Sequence, residues 1–111
     1  MLEWDETEFT GCLEVIPERI EDAAGGPFYV FNIVKKDVQL ELTIFPFEED
    51  VRFRLFREGE NNALFEYQIM GCKFARHEIN KHSEEYLSFV NSAGLETTVS
   101  VNPDIQILLS E

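Results

Sequence analysis

The stretch D-V-Q-L-E-L-T-I-F (37–45) places Val38, Leu40, Leu42 and Ile44 alternately with Gln39, Glu41 and Thr43. A repeat of two residues belongs to an extended chain whose successive side chains point to opposite faces, so these nine residues read as a half-buried strand. The segments around it carry the same pattern. V-R-F-R-L-F-R (51–57) sets Val51, Phe53 and Leu55 against its arginines, and A-L-F-E-Y-Q-I-M (63–70) puts Phe65, Tyr67 and Ile69 on one side. F-Y-V-F-N-I-V (28–34) is apolar on both faces.

The connectors K-K-D, F-P-F-E-E-D and E-G-E-N-N are short, which makes hairpins the natural joins and predicts four consecutive strands in an antiparallel meander. Keeping the apolar sets on one face predicts Val30 opposite Leu42, Leu42 opposite Phe53, and Phe53 opposite Tyr67. The reverse face then carries a row of Phe31, Glu41, Arg54 and Glu66, with Arg54 between two carboxylates. Arg52 and Arg54 are expected to neutralise their neighbours on a solvated face and not to recognise an anion. The same register leaves an apolar stripe of Tyr29, Phe31 and Ile33 on that reverse face, with Phe56 and Leu64 further across it. A second layer must cover such a face, or it is a binding surface. These five residues are therefore the expected interaction surface.

Further along the chain, Gly71 stands where apolar parity shifts from Phe65, Tyr67 and Ile69 to Cys72 and Phe74, as a bulge or bend between two strands requires. S-E-E-Y-L-S-F-V-N-S-A-G (83–94) suits a helix capped by Ser83, or a strand pairing back onto C-K-F-A-R-H-E-I (72–79) through the turn N-K-H-S; its Tyr, Phe and Val content tips the reading to strand. L-E-T-T-V-S-V (95–101) alternates cleanly, N-P-D turns, and I-Q-I-L-L (105–109) forms a last short strand. Near the start, E-F-T-G-C-L-E-V (8–15) is read as a strand and P-E-R-I-E-D-A-A (17–24) as two helical turns, with the nearest thing to a break at A-A-G-G-P (23–27). The predicted fold is mainly β: one domain, 1–111, forming an antiparallel β-sandwich or flattened barrel of about seven to nine strands with room for one short helix. The alternative is an α+β sheet covered by a helix at 84–93.

The 111 residues are 44% apolar and 13% aromatic, enough material for one core. Nine basic residues against 22 acidic ones leave a formal charge of -13, a field that repels phosphate backbones and anionic lipid and favours a basic protein face. Nucleic acid and membrane are therefore excluded as expected partners. M-L-E-W-D-E-T-E-F has no basic region or apolar run of the kind that directs export, so the expected compartment is cytoplasmic, with Cys12 and Cys72 reduced and packed.

R-H-E-I-N-K-H (76–82) holds both histidines. A zinc-protease helix needs its two histidines four apart so that they share one face. Here the separation is five, which turns them about 140° apart on a helix and onto opposite faces of a strand. Cys72 and His77 are weak candidates for a soft metal site, two ligands where a closed zinc site takes four. The acidic runs at 5–8, 48–50 and 84–85 read as solvated tips, and phosphate-loop, nucleophile-elbow and calcium-loop motifs are absent from the sequence. Neither a metal nor a cofactor is expected. The functional expectation is a non-enzymatic protein-interaction module, with an inhibitor or immunity-type partner of a basic protein as its concrete form and self-association as a variant. The rival expectation is a β-sandwich that binds a glycan or divalent cation, with Trp4, Tyr29 and Phe31 stacking on a sugar face.

Overall fold

A computed structural model describes residues 1–21 and 24–109. After a short extended entry comes helix α1 (Glu6–Leu13), followed by strands β1 (Glu18–Ile20), β2 (Phe28–Lys35), β3 (Val38–Phe45), β4 (Asp50–Arg57), β5 (Phe65–Met70), β6 (Cys72–Ile79), β7 (Glu85–Asn91), β8 (Glu96–Ser100) and β9 (Gln106–Leu109). The strands form a five-stranded sheet in the order β1-β2-β3-β4-β5 and a four-stranded sheet in the order β6-β7-β8-β9. Every pairing between these strands is antiparallel and joins sequence neighbours, while Glu3 adds an isolated parallel bridge to Phe74. The chain is thus a single meander folded over on itself, the all-β sandwich or flattened barrel that the alternation predicted. Within 84–93 the chain runs as strand β7 over Glu85–Asn91, and the helical alternative falls away.

The core lies between the two sheets. Phe31, Ile33, Leu40, Leu42, Ile44, Val51 and Phe53 face Cys72, Ala75, Leu87, Phe89 and Val99, all buried. The ring of Phe53 meets that of Phe89 edge-on at 5.4 Å, an arrangement that aromatic quadrupoles favour over face-to-face stacking.

Two expectations near the N-terminus are corrected. The segment read as a strand at 8–15 is mostly α1. Asp5 caps it, extended in backbone and accepting from the Glu8 amide at 3.0 Å, while Glu6 and Glu8 sit in the first turn, where the helix dipole favours negative charge. Phe9, Cys12 and Leu13, spaced three and four apart, share its buried face. Phe9 wedges between the layers, 6.0 Å from Phe31 in one sheet and 5.8 Å from Phe89 in the other. The segment read as two helical turns instead places Glu18–Ile20 on the edge of β2. Three residues of sheet-edge hydrogen bonding are available there, whereas a helix of two turns without a wide apolar face has little to hold it. Pro17, Glu21 and Ala24 are not helical either, and Asp22 and Ala23 lie outside the described residues.

The register predictions divide at the first hairpin. Leu42 opposite Phe53, Glu41 opposite Arg54, Phe53 opposite Tyr67 and Arg54 opposite Glu66 all stand as expected. Between β2 and β3, however, Leu42 faces Phe31 and not Val30. The turn takes only Lys36 and Asp37, with Lys36 at a left-handed φ of 56°, and Lys35 pairs with Val38. A turn one residue shorter than expected shifts the strand by one and moves every side chain of β2 to the other face.

Candidate interaction surface

That one-residue shift decides the fate of the expected surface. Phe31 and Ile33 are 0% and 1% exposed and belong to the core. Tyr29 packs beside them under Trp4, ring centroids 4.8 Å apart. Phe56 does lie on the outer side, yet it is 7% exposed beneath the Arg54 guanidinium, 5.0 Å from its ring centroid. Leu64 alone of the five is widely exposed. Trp4 also makes edge contacts with Phe9 and Phe31; of the three aromatics expected to stack on a sugar, Phe31 is buried, while the half-buried Trp4 and Tyr29 line an open depression of about 480 Å³ with Arg19, Pro27 and Phe47.

What the outer face of the five-stranded sheet carries is a paired charge network. Arg54 Nε donates to Glu66 Oε1 at 3.0 Å, and its Nη1 lies 3.5 Å from Glu41 Oε1. Asp50 is 7% exposed and is held by Arg52 through Nε and Nη2 at 3.1 and 3.0 Å and by the Gln68 amide at 3.0 and 3.1 Å. The Arg52 guanidinium stacks over Phe45 at 4.7 Å. Both guanidinium forks are therefore occupied by carboxylates of the same chain.

The histidine and cysteine candidates are equally engaged. His77 Nε2 lies 2.8 Å from Glu85 Oε1, and Nδ1 lies 3.9 Å from Glu8 Oε2, which ties β6 to both β7 and α1. His82 sits in the exposed turn after β6, its amide donating to Asn80 Oδ1. The Cys72 thiol is fully buried and donates to the Phe74 carbonyl at 3.6 Å. Burial pushes the thiols of Cys12 and Cys72 up to about 11, with nearby carboxylates adding to the effect, so both stay protonated at neutral pH and are poor ligands or nucleophiles. Among the described residues no group of three or more His, Cys, Asp or Glu side chains is arranged to hold a metal ion.

The outer face of the four-stranded sheet is different in kind. Tyr86, Ser88, Thr98, Ser100, Gln106 and Leu108 alternate outward from β7, β8 and β9, set by the pairings Leu87 with Val99 and Val99 with Ile107 on the inner side. A depression of about 550 Å³ runs between the β6–β7 turn and the β8–β9 loop. Glu84, Glu85 and Asp104 line it together with Tyr86 and Leu108, and no Lys or Arg does. Sequence reading missed this face. Its residues are mostly short and polar and resemble any solvated strand face, so only the pairing that gathers them shows the groove.

No protein-family model matches this sequence, and no curated protein does. Among solved structures, a chain of the contact-dependent growth inhibition toxin–immunity protein complex from Klebsiella pneumoniae 342 matches with a TM-score of 0.81 and 14% identity. The match covers 97% of this chain and 95% of that one. The likeness is one of fold and runs along nearly the whole length of both chains.

Proposed function

We propose that this chain is a non-enzymatic, immunity-type protein that works in the cytoplasm by binding a basic protein partner and masking it. The end-to-end fold likeness to a chain of a toxin–immunity complex carries the reading. A formal charge of -13 adds to it, since complementary charge speeds encounter with a basic surface and selects against acidic ones. Among the described residues no helix is long and apolar enough to cross a membrane.

Co-expression with the polypeptide encoded beside this chain, followed by size-exclusion chromatography and titration calorimetry, tests the proposal. A stoichiometric complex whose affinity falls at least tenfold between 50 and 500 mM NaCl is expected on the order of the screening that salt imposes on charge pairs. Failure to form a complex, or an affinity indifferent to salt, would overturn it.

A further inference from the structure

The two outer sheet faces are not equivalent as docking sites. On the five-stranded sheet Arg52 and Arg54 stand in the middle and are already bound by Asp50, Glu41 and Glu66. An approaching cation meets two fixed positive charges there. The groove on the four-stranded sheet has Glu84 and Glu85 at one end and Asp104 at the other, with the Tyr86 ring and the 60% exposed Leu108 between. Its negative rim continues onto α1. Asn102, at the groove's edge, hydrogen-bonds Glu14 at the helix C-terminus, and Glu85 reaches through His77 toward Glu8. The chain has six acidic and no basic side chains before Arg19, so the field on this side stays negative along the helix. Three cations border this face: Lys36 on Asp104 at 2.7 Å, Lys35 with its ammonium donating to Asn102 Oδ1 at 2.9 Å, and Arg76 opposite Ser88; the Lys36 side chain is 74% exposed, and a pair so open to water exchanges readily.

We propose that this groove receives an arginine-bearing extended segment of the protein partner, a refinement that rests on the functional reading above. Arginine fits better than lysine. Its flat guanidinium can lie against the Tyr86 ring while its fork engages carboxylate oxygens, and it gives up its hydration more easily than an ammonium does. The aliphatic stem of the same side chain lies along Leu108. Short Ser and Thr side chains leave the strand surface low enough for a second backbone to approach.

A hexa-arginine peptide serves as the probe, followed by amide chemical shifts of the labelled protein at 50 mM NaCl. Shifts are expected to concentrate on 84–88 and 98–108. Leu108→Lys and, independently, Gln106→Lys should each weaken binding at least tenfold with unchanged melting temperature. Val34→Lys alters net charge equally on the outer face of the other sheet, where Val34 is 49% exposed, and should change binding less than threefold. Absence of binding, shifts centred on α1 or the five-stranded sheet, or equal weakening by all three variants would overturn the groove. The two proposals fail separately. If the co-encoded partner still binds Leu108→Lys with full affinity, the groove is wrong and the functional reading stands. If the peptide occupies the groove but the co-encoded protein does not bind, the reverse holds.

Discussion

Cys12 on α1 and Cys72 on β6 are both buried in the core, and that burial has a measurable cost at high pH. Each thiol titrates near its ordinary 9.0 when unfolded and at about 11 when folded. Below pH 9 both states hold the proton and the full stability is present. Between pH 9 and 11 the unfolded chain releases protons that the folded chain keeps, and stability is lost. The loss is on the order of 2–3 kcal/mol per thiol. Urea denaturation at pH 8 and pH 10.5 should therefore show a steeper decline for the wild type than for the Cys12→Ala, Cys72→Ala double variant; parallel declines would contradict it. Glu49 shows the opposite sign. The Lys73 ammonium, bonded at 2.9 Å, and the Met1 amine hold its carboxylate below the usual range, so its contribution is present above pH 4.5 and fades as pH falls. At this scale the burial of the cysteines was legible from their type alone. The cap at Asp5 was legible as well, since an aspartate followed three residues later by glutamate is a helix-start signature, but an expectation of acidic loop tips hid it.

At the scale of elements, the joint between β5 and β6 is one residue long. Gly71 has φ of 69°, and a Cβ there would stand 3.2 Å from Ser92 Oγ. Gly71→Ala combines a left-handed backbone penalty with that close contact and should destabilise the protein by about 1–3 kcal/mol. A midpoint of urea unfolding unchanged from wild type would show that the bend does not need its glycine. Strand identity was readable wherever polar and apolar residues alternate, as in β3, β4 and β8, and so was the order of hairpins. What could not be read was the length of the first turn. Lys36 and Asp37 give no glycine or asparagine signal for a left-handed two-residue turn, and β2, apolar on both faces, fits either register. Phe31 and Ile33 were misplaced for that reason, and the expected binding stripe went with them. The groove was illegible for the complementary reason: β7, β8 and β9 are brought together only by pairing.

At the scale of the whole molecule, the excess of negative charge works against compactness, because folding draws 22 carboxylates onto a small surface with nine cations to offset them. Added salt shortens the reach of that repulsion to roughly 10 Å at 0.1 M and less beyond. The melting temperature should rise by several degrees between 10 and 500 mM NaCl, while the affinity for a basic partner falls over the same range. A melting temperature that drops with salt would mean that the ion pairs of the five-stranded sheet outweigh the repulsion. The meander adds a different kind of sensitivity. Inward side chains fall at 65, 67 and 69 in one sheet and at 72, 75 and 77 in the next, so the bend at Gly71 and the irregularity between Cys72 and Phe74 together keep both halves in step. One residue gained or lost at this joint would act like a frameshift in three dimensions, offering Ser88 and Thr98 to the interior and Leu87 and Val99 to water, with the message itself unaltered downstream.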